Sequence, residues 1–334
     1  MINLSILDYS PIDEMSNSRE ALIATTNLAQ LADKLNFKRF WVSEHHGMQT
    51  LAGSNPEMLM MHLAANTKNI RIGSGGVMLQ HYSAYKVAEG IKLIEALYPG
   101  RIDLGIGRAP GGDKITHSAL NIGKSRISSY GQQLKDLKAY LSGQEEITSS
   151  FPGLVPTPVI DTLPQLWSLG AGGNGGLLAA QEGTSYIFAH FINPSGTGLH
   201  ATDDYLSNFN PSVITPKPQN MVAIFVAVAE TEEAAEILAK GFDHWMLMIE
   251  SGRETPYYMN FESIKDYPYT SEEKEIIKNN RRRIVVGNAD SAKQQIEQLA
   301  TAYQTNEVMV LPQVFGKENR MKTIELLSEA FKQN

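Results

Sequence analysis

Three short stretches of this chain carry residue types that can do chemistry together. Glu44-His45-His46 closes a run of aromatic and β-branched residues, so it falls at a strand end, with His45 on one side of the chain and its two neighbours on the other. Imidazole titrates near neutrality, which makes His45 a candidate general base or hydrogen-bond donor to a ligand. The same alternation is poor spacing for one metal ion held by both histidines, and Ser5-Ile-Leu7 stands where a barrel metallohydrolase would place His-x-His, so no metal site is expected. The second stretch is Pro99-Gly-Arg-Ile-Asp-Leu-Gly-Ile-Gly-Arg-Ala-Pro-Gly111. Gly105 and Gly107 strip a strand end of side chains, so something flat can approach the backbone, and Arg108 adds a fixed positive charge at once. Read alone, it also fits a tight turn with a solvated arginine.

The third stretch, Gly170-Ala-Gly-Gly-Asn-Gly-Gly176, precedes a helical pattern, and its amides with the helix amino end make a ready anion site. Paired with Arg126, near the start of another helix, the loop can hold a phosphate through charge-assisted bonds. Ser74-Gly75-Gly76 offers further bare backbone at a strand end, as a planar ring would need; a bulge explains it equally well.

Positioning these residues takes a repeating frame. Strand patterns at 2–8, 37–43, 70–77, 101–107, 164–169, 185–191, 221–229 and 307–311 are each followed by a glycine-rich or polar turn and a helical pattern. The helices read as 21–35, 54–67, 84–97, 125–141, a stretch ending at Glu182, 203–209, 231–249, 291–303 and 318–331, with Ser54 and Ser291 opening capping motifs. Eight such units count out a (β/α)8 TIM-type barrel, whose sites lie at the carboxyl ends of the strands. Those ends carry Asp8 and Ser10, His45, Gly75 and Gly76, Arg108, the 170–176 glycines and His190. An open doubly wound sheet is disfavoured because no Gly-x-Gly-x-x-Gly follows the first strand. Residues 251–284 interrupt the rhythm after strand seven and are expected to form a lid on the site face, within a single domain spanning 1–334.

Composition removes several classes. Net charge of −7 argues against a nucleic-acid surface, and Arg281-Arg-Arg283, the basic run, reads as a solvated helix end. Zero cysteines exclude disulfides, thiolate metal sites and cysteine nucleophiles. No apolar run approaches membrane-spanning length, and the first residues read as a strand and not as a signal peptide, so a cytoplasmic protein is expected.

Four segments in order resemble the luciferase-like flavin-dependent monooxygenases, in particular the single-chain alkanal-monooxygenase-like branch: Leu7-Asp-Tyr-Ser-Pro11, Phe40-Trp-Val-Ser-Glu-His-His46, Ile70-Arg-Ile-Gly-Ser-Gly-Gly-Val-Met-Leu79 and Gly100 to Gly111. The resemblance implies a bacterial-luciferase-like barrel, usually a homodimer joined through the helices at 54–67 and 84–97, binding FMN without covalent linkage. Reduced FMN, supplied by a separate flavin reductase, would react with O₂ to a C4a-peroxide that oxidises a small organic substrate, often an aldehyde. By position, His45 matches a histidine beside the flavin, Arg108 an arginine contacting it, and Arg126 one that reaches its phosphate. Gly75-Gly76 matches a non-proline cis peptide under the ring, and Ala171, Gly172, Gly173 and Gly175 take the phosphate-loop positions.

Relatives commonly carry Ser-Ser-Gly-aromatic-Ser in that loop, so hydroxyl donors are missing here, at roughly 1.5–3 kcal/mol each, and weak FMN binding is expected. The reactive cysteine of some luciferases is replaced by Gly107. Two other classes stay open on the sequence: an F420-dependent hydride-transfer enzyme, and a non-catalytic flavin-binding protein.

Overall fold

The structure is a computed structural model describing residues 2–124, 129–143, 150–253 and 255–332. Its strands are β1 (Asn3–Asp8), β2 (Arg39–Val42), β3 (Arg71–Ser74), β4 (Val77–Met78), β5 (Ile102–Gly107), β6 (Gln165–Gly170), β7 (Ser185–Ala189), β8 (Asn220–Val228), β9 (Ile284–Gly287) and β10 (Glu307–Leu311). The first helices are α1 (Ser18–Lys34), α2 (Pro56–Asn66), α3 (Ala84–Leu97), α4 (Lys114–Leu120), α5 (Tyr130–Ser142) and α6 (Gly175–Glu182). They continue with α7 (Thr197–Ser207), α8 (Glu232–Glu250), α9 (Phe261–Ile264), α10 (Ser271–Asn280), α11 (Ala289–Ala302) and α12 (Lys317–Phe331).

Eight parallel strands close into a barrel in the order β10-β1-β2-β3-β5-β6-β7-β8, sealed by β8 against β10 with Val222 opposite Val308. Outward residues such as Ile6, Phe40, Leu104, Phe188, Ile224 and Val310 meet the helices, while Leu7, Trp41, Trp167, Ile187, Ala223 and Met309 fill the interior, the period-two alternation of strands buried on both faces. The eight strands read from the sequence are these eight.

β9 was not expected. It pairs with the last four residues of β8, Phe225 opposite Ile284 through Val228 opposite Gly287, beyond the end of β7 and overlapping β10 only at Phe225, which also faces Leu311. β4 is the continuation of β3 after a slip: Gly73 faces Asp103 but Val77 faces Ile106, so residues 74–76 oppose only 104 and 105, a bulge that holds Gly75 and Gly76.

Helix boundaries moved where side chains compete for the backbone. α2 is capped by Asn55, whose side chain accepts from Met58 N, and α11 by Asn288, which accepts from Ser291 N; neither Ser54 nor Ser291 takes that role. α7 starts at Thr197, six residues before the expected 203, and its first turn packs so closely that a Cβ on Gly198 would lie 2.3 Å from the Phe188 ring. The helix expected from Ser125 is described from Tyr130 onward, and 125–128, with Arg126, lie outside the described residues.

Residues 251–284 stack α9 and α10 against α8. Tyr258 is their deepest anchor: it is fully buried, bridges Asp13, and donates its hydroxyl to Gln313 O at 2.8 Å. Trp245 of α8 packs between Tyr258 and Phe225, at 5.8 and 6.0 Å between ring centres.

Candidate active site

A cavity of about 760 Å³ opens at the carboxyl ends of the strands, within the usual range for small-molecule sites. It runs from Leu7, Trp41 and Met309 inside the barrel up to Arg108 and Gly172 at the rim. His45, Gly75, Arg108, Ala171, Gly172 and Gly175 line it, whereas Gly76 and Gly173 do not. None of the described residues of 251–284 lines it. Three other strand-end residues face elsewhere. Asp8 and Ser10 bond Thr25 at 2.5 and 2.8 Å, and His190 bonds Tyr303 Oη at 2.9 Å.

His45 extends the inward row Arg39, Trp41, Ser43, and is the member of that row that reaches the mouth. Its Nδ1 lies 3.0 Å from Ser43 Oγ, and the Tyr9 ring meets it edge-on at 4.6 Å. Burial, and then the neighbouring His46, push its pKa down to about 4, so the imidazole is neutral at physiological pH. Glu44 points the other way and is fully buried. Its carboxylate bonds His46 Nε2 at 2.8 Å and accepts from Tyr82 Oη at 2.8 Å and Met78 N at 2.9 Å. One side chain thus ties the end of β2 to the strand just beyond the bulge. The sequence reading passed over Glu44; a lone acid directly after Phe40-Trp-Val-Ser43 was the available signal.

The mouth floor is backbone. The Gly75–Gly76 peptide is cis. Ser74 Oγ donates to Gly105 O at 2.8 Å and accepts from Gly105 N at 3.1 Å, closing the bulge onto β5. Arg108 is exposed at the rim and has no ion-pair partner among the described residues; its guanidinium lies over the Tyr130 ring at 5.7 Å. Opposite, Asn174 precedes α6 without a side-chain bond to the first turn; Gly175 N reaches Gly172 O at 3.4 Å, and the amides of Gly176 and Leu177 have no partner among the described residues, so they are open to a ligand. Beneath it, the Tyr186 hydroxyl is buried without a partner among the described residues, 2.8 Å from where a Gly170 Cβ would lie and 3.3 Å from that of Gly175.

The rim between these parts is the turn after β7. Phe191 and Ile192 line the cavity, and Asn193 Nδ2 donates to Ala171 O at 2.8 Å. Arg281, Arg282 and Arg283 correct the expectation of a solvated helix end. Arg281 pairs with Asp243, Arg282 donates to Pro194 O, and Arg283 donates to Phe191 O and Ile192 O. Among the described residues no group of three or more His, Asp or Glu is placed to hold a metal ion, and no helix is long and apolar enough to cross a membrane.

Residues 2–306 match the family described as luciferase-like monooxygenase. The chain belongs to that family. Among its relatives, the protein YwcH of Bacillus subtilis (strain 168) is 47% identical over 332 residues, covering 99% of both chains. The N-acetyl-S-alkylcysteine monooxygenase of the same organism is 33% identical, covering 99% of this chain and 98% of its own. The crystal structure of apo-MsnO8 superposes with a TM-score of 0.89 at 33% identity, over 99% of this chain and 98% of that one. A luciferase-like monooxygenase barrel is therefore the frame for all the side chains above.

Proposed function

We propose that this protein is an FMN-dependent monooxygenase that uses reduced FMN from a separate flavin reductase, and O₂, to oxidise a small, largely apolar organic molecule, an aldehyde among the candidates. The observation that carries this reading is one cavity that joins a bare peptide floor, a neutral His45, an Arg108 with no ion-pair partner among the described residues, and a helix start without a side-chain cap. These groups fit a flat, phosphate-tailed ring: glycine leaves room for the ring face, and Arg108 and the α6 amides favour its anionic parts.

In this reading Gly75 and Gly76 form the bed under the ring, and Arg108 contacts the cofactor at the end of β5. Ala171, Gly172, Gly173 and Gly175 surround the phosphate, together with Arg126 by family resemblance. Bound reduced FMN supplies the electrons that activate O₂. His45 enters neutral, so one imidazole nitrogen donates a hydrogen bond and the other accepts one; a proton taken from the reacting groups would leave it as a cation that must pass the proton on. Ser43 Oγ, 3.0 Å away, occupies Nδ1, which leaves Nε2 as the ring nitrogen for a ligand. Tyr9, Phe191, Ile187, Ala223 and Met309 keep the inner end apolar and dry, which suits an uncharged substrate group. The same resemblance supports a homodimer, each subunit one barrel domain over 1–334; the cytoplasmic location rests on the sequence alone.

The test supplies reduced FMN and labelled O₂ with a panel of aldehydes and thioethers. FMN-dependent appearance of label in product supports the reading; O₂-independent turnover with F420 in place of FMN overturns it.

A further inference from the structure

The turn between β7 and α7 touches both halves of the cavity and is held from behind by one short basic run. Its front face is Phe191 and Ile192, part of the apolar wall. Its far end reaches the glycine loop twice: Asn193 Nδ2 donates to Ala171 O at 2.8 Å, and Thr197 Cγ2 lies 3.4 Å from where a Gly173 Cβ would be. On the near side Ile192 N and Asn193 N both donate to Ala189 O, at 3.0 and 3.2 Å, and no backbone amide among the described residues donates to the carbonyls of Phe191, Ile192 or Pro194.

Those carbonyls are where the arginines act. Arg283 Nη1 donates to Phe191 O at 3.3 Å and Ile192 O at 3.0 Å, while its Nη2 holds Glu250 at 3.0 Å. Arg282 Nη2 donates to Pro194 O at 2.7 Å, and Arg282 O lies 3.2 Å from His190 Nε2. The run is itself fixed to α8, because Arg281 makes a two-pronged pair with Asp243 at 2.6 and 2.9 Å. A fork with donors on a rigid plane suits several backbone oxygens at once, which a lysine ammonium does not match.

We propose that Arg282 and Arg283 are positioning residues that set the substrate wall at Phe191 and Ile192 and, through Asn193, the phosphate turn at Ala171. The 251–284 insertion then acts on the site from outside, as a splint whose last turn grips the rim. The phosphate half of this proposal rests on the FMN reading above; the wall half does not.

Two measurements decide it. Fluorescence titration with oxidised FMN and with riboflavin compares the native protein with Arg283→Ala, Arg283→Lys and Asn193→Ala. Arg283→Ala and Asn193→Ala should each weaken FMN about tenfold and leave riboflavin within about twofold, with Arg283→Lys between. An unchanged FMN-to-riboflavin ratio in Arg283→Ala, even with a lower melting temperature, overturns the phosphate link. A native protein that does not prefer FMN to riboflavin overturns both that link and the phosphate assignment on which it rests. Hydrogen exchange without any flavin tests the wall half separately. The Ile192 and Asn193 amides should exchange at least about tenfold faster in Arg282→Ala/Arg283→Ala, with β1 amides unchanged. Equal exchange in both proteins overturns it.

Discussion

The two ends of the barrel are built from the same inward-facing rows and treat charge in opposite ways. At the amino end, Arg39 is buried between Asp103 and Glu307, bonding both at 2.7 Å, and also holds Gln165 at 2.8 Å. Ser5 and Lys38 take up the rest of Glu307, while Arg71 and Trp41 complete Asp103. Burial opposes charge on Arg39, yet Asp103 and Glu307 overrule it and raise its pKa; burial likewise opposes the Asp103 carboxylate, and Arg39 and Arg71 hold its pKa below the usual range. At the carboxyl end Arg108 has no such partner among the described residues, and His45 stays neutral. The floor uses charge to fasten strands together. The mouth leaves its donors open, which is what a ligand site needs.

The largest effect that tests this contrast is chemical. His45→Ala should lower substrate oxidation by roughly 10²–10⁴-fold while sparing FMN affinity, measured by steady-state turnover beside flavin titration. Equal turnover in the variant would remove His45 from the mechanism. At the amino end, Arg39→Met takes one cation from two buried carboxylates, leaving Lys38 on Glu307 and Arg71 on Asp103, and should cost about 3–5 kcal/mol in urea unfolding, without altering the cavity. If it costs under about 1 kcal/mol, the floor is no clamp. Arg108→Ala is the mirror experiment: unfolding should shift by no more than about 0.5 kcal/mol, while FMN binding weakens by about ten- to a hundredfold.

Smaller effects sharpen the picture. A Cβ at Gly172 meets nothing within 4 Å, so Gly172→Ser restores a hydroxyl without a clash and should tighten FMN by about tenfold in titration; no gain would mean the phosphate lies elsewhere. The pH response follows from His45. Its pKa is about 4 in the native state against an ordinary 6.5, so between those values the unfolded chain binds more protons and stability falls as pH drops from 6.5 toward 4. An NMR titration that finds His45 protonating near 6.5 contradicts this.

The barrel was legible because each of its strands joins an apolar run to a turn signal, and period two survives even where both faces are buried. β9 was not, since four residues directly after Arg281-Arg-Arg283 carry too little pattern to stand out. α4 was missed for a related reason: it buries no side chain, so no apolar stripe announces it. Within the site, His45, Gly75, Arg108 and the 171–175 turn were readable from residue type and order. The roles of Glu44 and of the three arginines were not. Arg282 and Arg283 bond backbone oxygens 88 to 92 positions away, and a carbonyl leaves no mark in a sequence.

The joint between β3 and β5 also bears on how this enzyme can change over generations. A methyl group on Gly105 would lie 2.1 Å from Ser74 O, and one on Gly76 would lie 2.7 Å from Gly105 O, so neither glycine can drift whatever molecule the cavity accepts. A randomised library should return glycine at both and diversity at 172. New specificities in this lineage must then arise at the other lining positions, on the loops and the inward strand faces, because this joint in the masonry admits no edits.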